Sequence, residues 1–234
     1  MMNLLVALSD YGNPNSLGSR LRAKRAVHLK SLIERIAAAQ GRCRIIDLGG
    51  HPVYWNIIGR DFLIEKRCQV TLYNASANEL RQNPVADDAL VTGLIGDACA
   101  VHFADNDFDL VHSNSTIEHV GEWPRMLRFA QEVRRLAPAY FVQTPNFWFP
   151  IEPHFGAPFW AWLPEPVRVW LLLRRGWGYF PKAKSVPEAI AAVQEIHLLD
   201  RRAFAELFPD ARIVDEKFAG MTKSLIAIRD GAGR

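Results

Sequence analysis

The chain has 234 residues, 49% of them apolar and 23% charged, with a net charge of +3. That composition excludes a disordered or fibrous chain and suits one α/β domain, and the charge is too small to argue for a DNA partner. Cys43, Cys68 and Cys99 form no CxxC or Cys/His cluster, MMNLLVALSD lacks a basic leader, and no long apolar run occurs. The pattern argues against a disulfide framework, a zinc site, a signal peptide or a transmembrane segment, and for reduced thiols in a cytoplasmic protein.

Residues 11–19, YGNPNSLGS, carry turn chemistry, so residues 1–19 read as a lead-in segment. From Arg20 to Gln40 an amphipathic helix is predicted, with Leu21, Val27, Leu29, Leu32, Ile33 and Ile36 on its apolar stripe and Gly41 as its stop. Its basic residues, Arg20, Arg22, Lys24, Arg25, Lys30 and Arg35 against the single acid Glu34, read as a solvated face or as contacts to an anionic acceptor or partner. Short buried strands are predicted at Arg44–Leu48, Val70–Asn74, Leu90–Ile95, Phe108–Ser113 and Ala139–Gln143. The clearest intervening helix is Trp123–Leu136, with Met126, Leu127, Ala130, Val133 and Leu136 on one face. Strands separated by helices imply a parallel sheet covered on both sides. Residues 146–187 differ, holding five of the seven tryptophans and a scatter of prolines. They read as an aromatic-rich insertion after the fifth strand: a lid over the open end of the sheet, an additional hydrophobic core, or a shallow membrane contact through Phe155–Leu173. A helix at Asp200–Leu207 with Asp200 as N-cap, then strands at Arg212–Phe218 and Ser224–Arg229, complete the chain with an antiparallel edge hairpin.

Ligands of an open parallel sheet bind at the carboxyl ends of its strands, where strand order reverses. The candidate motifs fall at such ends. Asp47-Leu48-Gly49-Gly50-His51-Pro52 places a carboxylate at a strand end, then a two-glycine turn that lets backbone approach a ligand closely. A dinucleotide site would instead have GxGxxG at a helix start, with its acid some twenty residues later; here the acid comes first and the third glycine is missing. Asn74 ends the second strand, Gly96-Asp97-Ala98 follows the third, and Asp107-Phe108-Asp109-Leu110-Val111 leads through Ser113, Asn114 and Ser115 to Ile117-Glu118-His119-Val120.

In order and register these landmarks resemble the class I S-adenosylmethionine-dependent methyltransferase family, type 11-like, over about Arg44–Gln143. DLGGHPVYW is similar to a variant of the family's D-x-G-x-G-x-G loop, with His51 and Val53 where later glycines stand and Asn74 where an acid is usual. The resemblance implies one methyltransferase domain over 1–234: a Rossmann-like, doubly wound, mostly parallel seven-stranded sheet. It also implies S-adenosyl-L-methionine as cofactor. Asp47, Gly49, Gly50 and His51 would lie near its amino acid part, and Asn74 at the ribose. Asp97 and Ala98 would meet the adenine, and Ser113 and Asn114 the methionine part or the acceptor. Similar proteins carry a P-N … E-x-H segment facing the acceptor, matched here by Pro145-Asn146 and Glu152-Pro153-His154.

His119 and His154 are the candidate bases, since imidazole titrates near neutrality. The acceptor is expected to be a small molecule or a glycan- or lipid-linked group. RNA is the alternative, with Arg20, Arg22, Lys24 and Arg25 as phosphate contacts. Two other functions share the sheet: a methyltransferase-fold binding or regulatory protein without the chemistry, and a nucleotide-cofactor oxidoreductase.

Overall fold

The computed structural model describes residues 17–76 and 90–231, with the side chains of 17–21 outside that description. The lead-in up to residue 16 and the side chains of Arg20 and Leu21 therefore lie outside the described residues. The chain runs α1 (Leu17–Gln40), β1 (Cys43–Leu48), α2 (Pro52–Ile58), α3 (Arg60–Glu65), β2 (Cys68–Asn74), β3 (Val91–Ile95) and β4 (Leu110–Asn114). A 3-10 turn at Ile117–His119 precedes α4 (Trp123–Leu136) and β5 (Ala139–Pro145). Then come β6 (Ile151–Glu152), β7 (Ala157–Pro158), α5 (Glu165–Arg174), α6 (Val186–Gln194), α7 (Arg201–Leu207), β8 (Arg212–Phe218) and β9 (Met221–Asp230).

The seven-stranded sheet has the order β3-β2-β1-β4-β5-β9-β8. β1 to β5 are mutually parallel, and β9 is antiparallel to both β5 and β8. This is the doubly wound sheet with an edge hairpin that the sequence predicts. Strand order reverses between β1 and β4, which puts the ligand crevice at their carboxyl ends. β5 is buried along its whole length, as a central strand covered on both faces must be.

Each face of the sheet has its own core. α4 and α7 cover one face, where Met126, Phe129, Ala130, Val133 and Leu136 meet Ile46, Val111, Tyr140 and Phe204. α1, α2 and α3 cover the other, where Leu29, Leu32, Ile33, Trp55 and Leu63 meet Ile45, Leu72 and Phe141. Two residues predicted for apolar stripes point outward: Val27 is 63% exposed and Leu127 38%. On α4, Phe129 takes the core position that the pattern gave to Leu127. The caps follow local chemistry: Asp200 accepts from the Ala203 N–H that opens α7, and Gly41, at φ +75°, ends α1 with its N–H on Ala37 O. Among the described residues no helix is long and apolar enough to cross a membrane. Cys43 and Cys68, distant in sequence, sit opposite each other in the β1–β2 register as free buried thiols.

The insertion after β5 builds a third core. Phe155, Ala157, Trp160, Leu172, Ala183, Ala189, Val193 and Ile196 pack together, so this unit reaches beyond residue 187 to recruit α6. Phe155 stacks between Trp160 and Phe180, with ring centroids 4.4 Å away on each side. Such aromatic stacking concentrates packing energy in one ring. Phe155→Ala is therefore expected to lower unfolding stability by about 3–5 kcal/mol in urea denaturation. A loss under about 1 kcal/mol would show that Phe155 does not anchor the insertion's core.

Candidate functional site

At the carboxyl end of β1 the Asp47 carboxylate is 1% exposed and both oxygens are engaged. Trp55 Nε1–H donates to Oδ2 at 2.8 Å, and His112 Nδ1 lies 2.7 Å from Oδ1. His112, on β4, is itself held between the rings of Tyr54 (4.7 Å) and Phe141 (5.8 Å), with Trp55 edge-on at 5.3 Å. The Tyr-Trp of DLGGHPVYW thus has a local purpose. Pro52 opens α2, His51 caps it by accepting from the Val53 N–H, and one turn later Trp55 reaches back to the strand end.

The two glycines let this turn fold over its own side chains. Gly49 is at φ +74°, and a Cβ there would overlap the Thr116 side chain; a Cβ on Gly50 would overlap the Asp47 carboxyl group. Thr116 Oγ1 and Ser113 Oγ both donate to Leu48 O, at 3.1 and 2.9 Å. Asn74 Nδ2 donates to Gly50 O at 2.8 Å, and Gly49 N–H donates to Tyr73 O at 2.9 Å. The ends of β1, β2 and β4 are thereby tied into one rigid floor.

Asp97, after β3, accepts from Arg125 Nη2 on both oxygens (2.9 and 3.0 Å) and from the Cys99 N–H (2.9 Å). Burial favours its neutral form, but the Cys99 N–H and the Arg125 guanidinium outweigh this and hold it below the usual carboxylate range. These three bonds leave lone-pair capacity on a side chain 47% exposed. Ala98 packs at the edge of the main core.

Beyond β4 and β5 lies a cavity of about 380 Å³. Its sheet-end wall includes Asn114 and Gln143, the insertion contributes Phe149, His154 and Tyr179, and the rest includes Arg22, Arg25 and Lys223. The insertion therefore walls the open end of the sheet while carrying its own core. Arg25 is the hub of this wall. Its guanidinium donates to Asn114 Oδ1 and Gln143 Oε1 and pairs with Glu216 through two bonds of 3.1 and 3.2 Å. Arg22 and Arg25 are each 6% exposed, so of the two readings of the basic face of α1 the solvated one fails at these positions, which form part of the cavity wall. The spacing of Arg22 and Arg25 from Leu29, Leu32, Ile33 and Ile36 places them on the buried stripe, a signal available in the sequence. Lys223, Gln143 and His112 carried no such signal. Burial lowers the Lys223 pKa and the Arg25 and Arg22 charges lower it further, with Glu216 opposing.

The two candidate bases meet. His119 Nε2 and His154 Nε2 are 3.2 Å apart, with the rings near perpendicular. Glu152 Oε1 lies 2.6 Å from His154 Nδ1, and its Oε2 accepts from the Phe155 N–H. Burial lowers the His154 pKa, but the Glu152 carboxylate more than compensates and the net shift is upward. Lost hydration and the neighbouring His154 pull His119 down to about 4, although the residue as a whole is exposed. Burial pushes Glu118 up to about 7; Thr144 Oγ1 donates to its Oε2 at 3.0 Å.

Residues 59–138 match a family model described as a methyltransferase domain, beginning after α2 and ending before β5. No curated protein matches. Among solved structures, the chain is similar to an S-adenosylmethionine-dependent methyltransferase from Mesorhizobium loti, with 13% identity, TM-score 0.49, and coverage of 80% of this chain and 90% of that one. It is also similar to a SAM-dependent methyltransferase from Methanosarcina mazei, with 14% identity, TM-score 0.48, and coverage of 81% and 92%. A phosphoethanolamine N-methyltransferase 2 from Haemonchus contortus, in complex with S-adenosylhomocysteine, shows 18% identity, TM-score 0.46, and coverage of 74% and 35%. The family match covers the segment from α3 to α4, and over that segment the chain is similar to methyltransferase domains.

Asp47→Ala removes the acceptor shared by two buried donors, and each stranded donor costs about 1–3 kcal/mol. The variant is expected to lose that stability in denaturant titration even without cofactor. Unchanged stability would show that Asp47 serves the ligand alone.

Proposed function

We propose that the chain transfers the methyl group of S-adenosylmethionine to a small acceptor carrying a phosphate or carboxylate group. The observation that carries the acceptor class is the cavity beyond β4 and β5, where Arg22, Arg25 and Lys223 face one space and Glu216 is already committed to Arg25. An anion there would meet cationic side chains in a partly desolvated pocket, Lys223 foremost, where charge pairing is stronger than in water. A glycan- or lipid-linked acceptor would present its anionic portion in the same way.

On the cofactor side, the chemistry of the strand ends suits the group. The Gly49–Gly50 backbone, with Asp47 and His51 bracing it, would carry the amino acid part. Asn74, whose amide nitrogen is spent on Gly50 O, would offer its amide oxygen to the ribose. Asp97, with Ala98 beside it, would take one more hydrogen bond, from the adenine amino group. Ser113 and Asn114 brace the β4 end, where the two ligands meet. When bound, the cofactor supplies an electrophilic methyl on a sulfonium. The protein contributes alignment of the acceptor atom and exclusion of water, for which the insertion supplies the wall. His154 lines the cavity and would face the acceptor from the far side, with His119 against it. The three buried thiols suit a reducing cytoplasmic setting.

Arg22 and Arg25, expected as phosphate contacts for RNA, are buried in the cavity wall, which leaves Lys24 alone exposed among those with described side chains. In the segment Phe155–Leu173, Phe155, Trp160 and Leu172 turn into the insertion's own core, while Phe159, Trp162 and Trp170 are exposed. A second reading, a methyltransferase fold without the chemistry, has one observation in its favour: Gly49 and Gly50 are covered by the chain's own Thr116 and Asp47.

The test is transfer of labelled methyl from S-adenosylmethionine to paired acceptors that differ only in a phosphate or carboxylate. The anionic member of each pair is expected to react preferentially. Lys223→Met should raise its KM about 10–100-fold with little change in kcat, as loss of a charged contact made equally in ground and transition states requires. Equal turnover of the neutral acceptor would refute the anionic class, and no transfer to either would favour the second reading.

A further inference from the structure

Glu118, His119 and His154 converge beside the cavity without a role in binding an anion. One ring nitrogen from each histidine and one carboxylate oxygen of Glu118 lie within 4.8 Å of one another. His154 Nδ1 is committed to Glu152 at 2.6 Å, which leaves its Nε2 lone pair facing His119 Nε2 at 3.2 Å. Two nitrogens bound at about 2.0–2.1 Å to a tetrahedral ion stand about 3.4 Å apart, close to this separation. Glu118 is 0% exposed; Oε2 accepts from Thr144, and Oε1 has no partner among the described residues.

A proton shared by the two rings accounts for the contact between the histidines, but it leaves the buried Glu118 oxygen unsatisfied. A cation satisfies all three donors at once. We propose that Glu118, His119 and His154 form a two-histidine, one-carboxylate site for a divalent ion of the zinc, cobalt(II) or iron(II) class. Two imidazoles select such ions over magnesium or calcium, which prefer oxygen ligands throughout. Glu152 orients the His154 ring from behind, as the carboxylate partner of a metal-bound imidazole does. His119 is exposed, which gives an entry path, and His154 lines the cavity, so a coordination position can face the acceptor. The site stands independently of the methyl-transfer reading, since it rests on the donor set alone.

The full chain, stripped with chelator, is titrated with Co²⁺ while visible d–d absorption is followed, and with Zn²⁺ by calorimetry. One saturable equivalent is expected. Affinity should fall at least tenfold in His119→Ala, His154→Ala and Glu118→Gln, and about 10–100-fold in Glu152→Gln. The exposed His102→Ala control should bind as the parent does. Absence of saturable binding would overturn the proposal, leaving the histidines as a hydrogen-bonded pair. Undiminished affinity in His119→Ala would overturn it as well; this variant sits at the surface, so it decides the matter even if Glu118→Gln fails to fold. Calorimetry of S-adenosylhomocysteine on the same samples keeps the two readings separate, because either ligand can bind when the other does not.

Discussion

The Asp47 carboxylate is the interaction on which the rest of the site depends. It lies at the reversal of strand order, where β1 and β4 diverge and a cleft must form. A carboxylate with 1% exposure is tolerable only if its oxygens are met. Trp55 from α2 and His112 from β4 meet them, and the same bonds fix where α2 begins. The glycine turn is then compelled: with the carboxyl group beneath Gly50 and Thr116 over Gly49, any side chain at either position would collide. Thr116 in turn fixes the start of the loop that carries Glu118 and His119. A single buried anion thus positions both the glycine floor and the loop that carries Glu118 and His119.

Arg25 is its counterpart in the cavity beyond β4 and β5. From α1, the first described helix, it bridges the ends of β4 and β5 through Asn114 and Gln143, and reaches β8 through Glu216. The helix is therefore part of the site's wall. The cavity it closes is cationic at Arg22, Arg25 and Lys223, while the histidine and glutamate cluster lies toward the insertion. This separation divides the labour: one wall suits an anionic handle, and the other suits the atom that reacts or the ion that holds it. The insertion's independent core lets it present Phe149, His154 and Tyr179 to that cavity rigidly.

Much of the sheet was legible because its central strands are buried runs of β-branched and aromatic residues bounded by turns, and such runs have few alternatives. The strand ends were less so. β5 continues through Thr144 and Pro145 because these pair with Leu225 and Ser224 of β9, a constraint supplied from eighty residues away. Side-chain partners were illegible for the same reason. His112 reads as one more strand residue until β1 lies beside β4, and Cys43 and Cys68 read as unrelated until β1 and β2 pair in register. Arg22 and Arg25 read as part of a basic face, solvated or anion-binding, and only their helical spacing from Leu29, Leu32 and Ile36 marks them as buried. The candidates His119 and His154 were found by residue type, yet their contact depends on the insertion folding back over the sheet, which no local pattern encodes.

The central claim is that the floor built on Asp47 receives S-adenosylmethionine. Isothermal titration of the folded chain with S-adenosylhomocysteine, with NADH as control, tests it most directly. Saturable binding of the former alone, weakened in Asp97→Ala without loss of fold, is the result predicted. A folded protein that binds neither ligand, or binds NADH in preference, would contradict the account.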